Sequence, residues 1–215
     1  MPWTLTAILK DVDSLTFVLI CENIHQGELC LKQKNFLMNK ISFLVTFCGL
    51  LCMVVHGQVK LYPVIKDYGA VFDVPFAKDK PDTSVVYKII IEAGPNIEKP
   101  EELYAPLENI SRMYNLHVYS GIPQKNLYVE LVIFGPAVAV VLDNDAYRRK
   151  FSVDNPNLKI IDEMTKAGIK IHACGQSVML TKIDPATVNP NIDIVVSRFT
   201  TVSSRQMKGY AFFKL

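Results

Sequence analysis

Apolar and polar positions divide the 215-residue chain into three zones. The first holds the strongest continuous apolar run, Ile41 to Val55 (I-S-F-L-V-T-F-C-G-L-L-C-M-V-V). The second, Gln58 to Thr83, is rich in Pro, Gly, Asp and Lys and has no sustained period. It reads as an arm laid over a domain and anchored by Tyr62, Val64, Ile65, Val71 and Phe76. In the third, the pattern becomes regular. Val85–Ala93 is a β-branched run stopped by Gly94-Pro95-Asn96, which predicts a buried strand and a turn. Leu103, Leu107, Ile110 and Tyr114 recur at helical spacing, with Pro106 in the first turn, where its missing N–H costs little.

Further along, Leu127–Phe134 predicts a second strand, stopped by Gly135-Pro136. Val138–Leu142 fits either a short strand or a buried helical turn. Asp143-Asn144-Asp145 caps a short helix through Phe151, and Asn157 opens another with Leu158, Ile161 and Met164 inward and Gly168 at its end. Ile169–Ala173 is a strand leading into Cys174-Gly175-Gln176-Ser177, and Ile192–Ser197 is the next. Thr200–Lys208 reads as a helix closed by Gly209, and Tyr210–Phe213 as a final strand. Strands alternating with helices imply βαβ units, hence an α/β fold: one flavodoxin-like domain, a mostly parallel sheet flanked by helices. In such a fold, ligands and catalytic groups gather at the carboxyl ends of the strands. Three loops occupy those positions: Gly94-Pro95-Asn96, Gly135-Pro136-Ala137 and Cys174-Gly175-Gln176.

The apolar run in the first zone is fifteen residues long, short of the roughly 18 to 20 that span a bilayer but within the range of a signal-peptide core. Met38-Asn39-Lys40 ahead of it supply a start and a basic head, and Gly57 before Gln58 supplies a small residue for cleavage. The expected organisation is therefore residues 1–37 as an upstream over-extension, 38–57 as a signal peptide, 58–84 as the arm and 85–215 as the α/β domain. The expected location is exported, periplasmic or extracellular, with an uncleaved signal anchor in the inner membrane as the alternative. A lipoprotein fits poorly, because Leu51 precedes Cys52 where lipid attachment needs a small residue.

Composition narrows the classes. Half the residues are hydrophobic, a fifth are charged and the net charge is +2, which removes disordered, collagen-like and low-complexity readings. Without a basic stripe or a strongly basic total, nucleic acid is not an expected partner. Four of the five cysteines precede Gln58, so the mature chain keeps Cys174 alone and forms no internal disulfide. One Cys and two scattered His give no metal-ligand spacing, and Gly-rich phosphate loops and G-x-S-x-G elbows are absent. No metal or organic cofactor is expected.

Cys174 is the candidate with chemistry. It sits where a strand turns into a helical start, and backbone N–H groups there favour a thiolate. Gly175 leaves room for a partner molecule near the sulfur. The bland alternative is a small hydrophobe filling a niche. His172, two residues earlier, shares a strand face with Cys174 and could assist the thiol or simply pack under a helix.

From about Tyr62 to Leu215 the chain resembles the DsrE/DsrF-like family, in particular its exported branch. The likeness is carried by Tyr68-Gly69-Ala70-Val71-Phe72, Tyr87-Lys88-Ile89-Ile90-Ile91, Gly135-Pro136-Ala137-Val138 and Ala173-Cys174-Gly175-Gln176-Ser177 before Asp184. The resemblance implies a compact α/β domain that assembles into homo-oligomers, trimers or hexamers. It also implies a cysteine at position 174 that accepts sulfur as a persulfide and passes it on. Two features depart from the pattern: relay members work in the cytoplasm, and Phe134 stands where many relatives have a histidine. The expected function is a sulfur carrier or relay protein outside the cytoplasm, with Cys174 as nucleophile. Gly175, Gln176, Ser177, His172, Gly135, Pro136 and Asn96 are expected to stabilise the thiolate or shape its pocket. Its partners would be copies of itself and a sulfur donor or acceptor protein, with a membrane only if the signal is retained. The alternative function is a non-catalytic oligomeric module that binds small molecules or acts as a scaffold.

Overall fold

A computed structural model describes residues 58–94 and 96–215. The over-extension and signal-peptide segments read from the sequence lie outside the described residues. Five strands form one sheet: β1 (Tyr87–Ala93), β2 (Leu127–Ile133), β3 (Lys170–Cys174), β4 (Asp193–Val195) and β5 (Ala211–Lys214). All four pairings are parallel, in the order β4-β3-β2-β1-β5. Successive parallel strands need crossovers, and helices α1 (Ala105–Tyr119), α2 (Asn144–Phe151), α3 (Leu158–Lys166), α4 (Gly175–Leu180) and α5 (Arg198–Met207) supply them. The α/β architecture with a parallel sheet flanked by helices is thus as the sequence pattern implies. Strand order refines it. A flavodoxin places its second strand outside the first, whereas here that edge is filled by β5, from the end of the chain.

The two sheet faces are unequal. On one, Ile89, Ile91, Leu131, Ile133 and Ile171 pack against α1 and α3 through Leu107, Ile110, Tyr114, Ile160, Ile161 and Met164. Those helix residues recur at the three-and-four spacing of an apolar stripe. On the other face, a small cluster of Ile90, Val132 and Cys174 is covered by Val202 and Tyr210. That face also carries Glu92, Glu130 and His172, all buried. Helix α5 therefore closes a face that is only partly apolar, and charge pairing has to complete the closure.

Several local expectations change. Gly135–Val141 is a 3-10 turn with Ala137 to Val141 fully buried, which resolves the ambiguity over that apolar stretch. Asn157 precedes α3 without capping it, because its Oδ1 accepts from Tyr104 N–H on another segment. Within α3, Ile160 takes the inward position expected of Leu158, which is half-buried. The arm is held by Ile65 and Val71, but Phe76 is 81% exposed and anchors nothing. The main arm clasp is Asn115, whose buried amide accepts from Val64 and Ile65 N–H and donates to the carbonyls of Ile65, Tyr68 and Gly69. Gly69 has φ +63°, and a Cβ there would lie 2.2 Å from Arg112 N, so the arm can approach α1 only through a glycine.

Candidate functional site

Cys174 is the last residue of β3 and the residue immediately before α4. Its side chain is 3% exposed. Burial alone would push the thiol up and is the largest single influence on it. It is outweighed by hydrogen bonding to the sulfur from the Ser177 hydroxyl and from the backbone N–H groups of Arg198, Ser177 and Gln176, so the pKa falls below the ordinary thiol value. The Arg198 N–H donates to Sγ at 3.3 Å. Two of the N–H donors belong to the first turn of α4 and one to the first turn of α5, so two helix N-termini converge on one sulfur.

Local sequence explains the convergence. Gly175 has no Cβ, and one there would meet the Val195 carbonyl oxygen at 2.7 Å. Its absence lets α4 start against β4, and the space expected to admit a partner molecule is filled by the protein's own backbone. Ser177 Oγ accepts from Gly135 N–H at 2.8 Å, which fixes the oxygen and leaves the hydroxyl proton to point at the thiol. Gly135 has φ +61°, a conformation glycine adopts at little cost. The Gly135-Pro136 turn thus reaches the site through Ser177. Pro136 itself is exposed.

At α5, Ser197 caps the helix by accepting from Phe199 N–H. The Arg198 guanidinium donates to Glu92 Oε2 at 2.7 Å and stacks over the rings of Phe134 (4.0 Å) and Phe199 (4.2 Å). Two turns later, Arg205 Nε donates to Glu130 Oε2 at 2.8 Å. Burial pulls the Glu130 carboxyl up, but hydrogen bonds from Arg205 and His172 prevail and hold it below the usual carboxylate range. Helix α5 is thereby pinned to the sheet at both ends by acid–base pairs.

Of the residues expected at the site, Cys174, Gln176, Ser177 and Gly135 are brought together. The Gln176 N–H contributes to the sulfur, and Ser177 and Arg198 contribute more. His172 shares the strand face of Cys174, yet its Nε2 is bound to Glu130 at 3.0 Å, so the imidazole is engaged away from the sulfur. Its Nδ1 lies 4.0 Å from Asp193 Oδ2. Asn96 lines a separate depression of about 570 Å³ with Leu103, Asn109 and Leu215. Arg198 and its partner Glu92 escape a reading of the sequence, because the β4 pattern runs through Ser197 and leaves Arg198 in an unremarked loop. Among the described residues, no group of three or more His, Cys, Asp or Glu could hold a metal ion, and no helix is long and apolar enough to cross a membrane.

Among the described residues, fold and site together define a parallel α/β protein with one cysteine, Cys174, at the carboxyl edge of its sheet. The model of the DsrE/DsrF-like family matches residues 105–215, and the chain belongs to that family. Solved structures similar to it include MTH1491 from Methanobacterium thermoautotrophicum, a protein of unknown function, at 20% identity and a TM-score of 0.44. The ychN protein of E. coli is similar at 14% identity and a TM-score of 0.44. Each likeness covers 60% of this chain and 99% of the other. No curated protein matches it.

Proposed function

We propose that the protein is a sulfur carrier in which Cys174 holds a persulfide. The carrying observation is the set of donors around the sulfur: one hydroxyl and three backbone N–H groups favour the thiolate against the cost of its burial. A thiolate is the form that attacks sulfur. In the forward step it attacks the terminal sulfur of a donor persulfide, R–S–SH. The Sγ–S bond forms, the S–S bond of the donor breaks, and the donor leaves as the thiolate RS⁻. In the return step an acceptor thiolate attacks the terminal sulfur on Cys174, the new S–S bond forms on the acceptor, and the Cys174 thiolate is expelled into the same donors. Neither step consumes an oxidant.

The same proposal places the protein outside the cytoplasm, on the strength of the signal-like segment at residues 38–57, and as a homo-oligomer. Met179 and Leu180 on α4, Val196 and Phe199 are exposed apolar side chains of the kind that copies of a chain cover. A second reading, an oligomeric binding or scaffolding module, is favoured by the near-complete burial of Cys174. Alkylation of the native thiol across pH separates the two. The carrier reading expects a rate that rises through a midpoint below that of free cysteine, and loss of sulfur uptake in Cys174→Ser with fold and assembly retained. A thiol that alkylates only after unfolding would support the module.

A further inference from the structure

The donor that α5 brings to the sulfur is a backbone group, and a backbone group is only as well placed as the helix that carries it. The contact is made by the first residue of helix α5, just after the Ser197 cap, and helix ends fray. What fixes this end is the side chain of the same residue. Arg198 spans from the sulfur, through its N–H, to a buried carboxylate in β1, through its guanidinium. Glu92 is buried at a position next to β2 in the sheet, in register with Val132, so the anchor belongs to the rigid interior. The flat guanidinium is also held over Phe134 and Phe199, contacts that suit arginine and that a lysine ammonium cannot reproduce in shape. Phe134 in turn lies against Gly94, where a Cβ would meet the ring at 2.1 Å. The first, second and fourth crossover regions are thus tied together at one side chain.

We infer that Glu92 is a positioning residue for the Cys174 nucleophile: through Arg198 it holds the first N–H of α5 on the sulfur. The inference rests on the carrier reading for its purpose, although the geometry it invokes does not. It carries a sign that separates it from a plain charge effect. Glu92 is an anion on the same sheet face as Cys174. If it acted only as a charge, its removal would favour the thiolate and lower the thiol midpoint. If it positions the N–H donor, its removal takes a hydrogen bond from the thiolate and raises the midpoint.

The test is the pH dependence of Cys174 alkylation in the folded full-length chain, compared among wild type, Glu92→Gln and Arg198→Lys. Arg198→Lys keeps the charge and the N–H while losing the planar clamp, and it serves as the second arm if a buried Gln at position 92 unfolds the protein. The expected result is an upward shift of the midpoint in each folded variant, with a roughly tenfold slower rate at pH values below it, the size of one hydrogen bond to a charged group. An unchanged or lowered midpoint in the folded variants would overturn the inference. The carrier reading fails separately: a wild-type thiol with an ordinary midpoint and no sulfur uptake sinks that reading, while a reactive wild type with unshifted variants sinks only the role of Glu92.

Discussion

Ser177 illustrates how much of the site is made by one side chain. Its oxygen takes Gly135 N–H and its proton faces the thiol, so it links the turn after β2 to the sulfur at the end of β3. Ser177→Ala removes the largest of the pKa-lowering contacts and leaves Gly135 N–H without this acceptor. The expected outcome is a higher thiol midpoint by alkylation, with about 1 kcal/mol lost in denaturant titration. Glu130 gives a prediction of opposite chemical sense. Its native pKa is held below the ordinary value by Arg205 and His172. It therefore contributes stability at pH above the ordinary carboxylate range, and that contribution is lost as pH falls through its native pKa. Glu130→Gln should flatten the acid limb of the stability curve, which a thermal melt series from neutral to acid pH would record. Sequence reading found Cys174 from its strand-to-helix position and found Ser177 as a neighbour. It could not find Arg198 or Glu92, because an arginine 24 positions from the cysteine and a glutamate 106 positions from that arginine carry no local signal of their pairing.

At the scale of elements, continuous apolar runs mark β1 and β2, which are buried along most of their length, helical spacing marks α1, and a capping Asp143 and a closing Gly209 mark α2 and α5. Such signals failed where a polar residue served a distant partner. Asn157 has the residue type and place of a cap yet bonds to Tyr104, and Asn115 looks like an ordinary helix residue yet clasps the arm with its whole amide. Asn115→Ala would leave several buried arm groups unpaired. We expect about 3 kcal/mol of destabilisation, and proteolysis within residues 58–84 well before the domain is cut. Equal protection of arm and domain in that variant would show that Ile65 and Val71 hold the arm without Asn115. The parallel sheet itself was legible from alternation of strands and helices. Its strand order was not, since pattern alone does not say that β5 returns to the far side of β1.

For the whole molecule, the described domain leaves Met179, Leu180, Val196, Phe199 and Met207 exposed and ends in an edge strand with half-exposed Phe212 and Phe213. An isolated domain with such an edge and such exposed apolar side chains is prone to associate. The proposed homo-oligomer would appear in light scattering as a defined multiple of the protomer mass, and Phe199→Glu with Leu180→Glu should drive it to monomer. An unaltered mass would place the contact elsewhere. Whether Cys174 carries sulfur outside the cytoplasm is read by intact mass spectrometry of protein recovered from its native envelope, before and after a persulfide donor. The expected result is a chain beginning at Gln58 that gains one sulfur atom, with no gain in Cys174→Ser. A chain that retains Ile41–Val55 would contradict the location, and a wild-type Cys174 that gains no sulfur would contradict the carrier role.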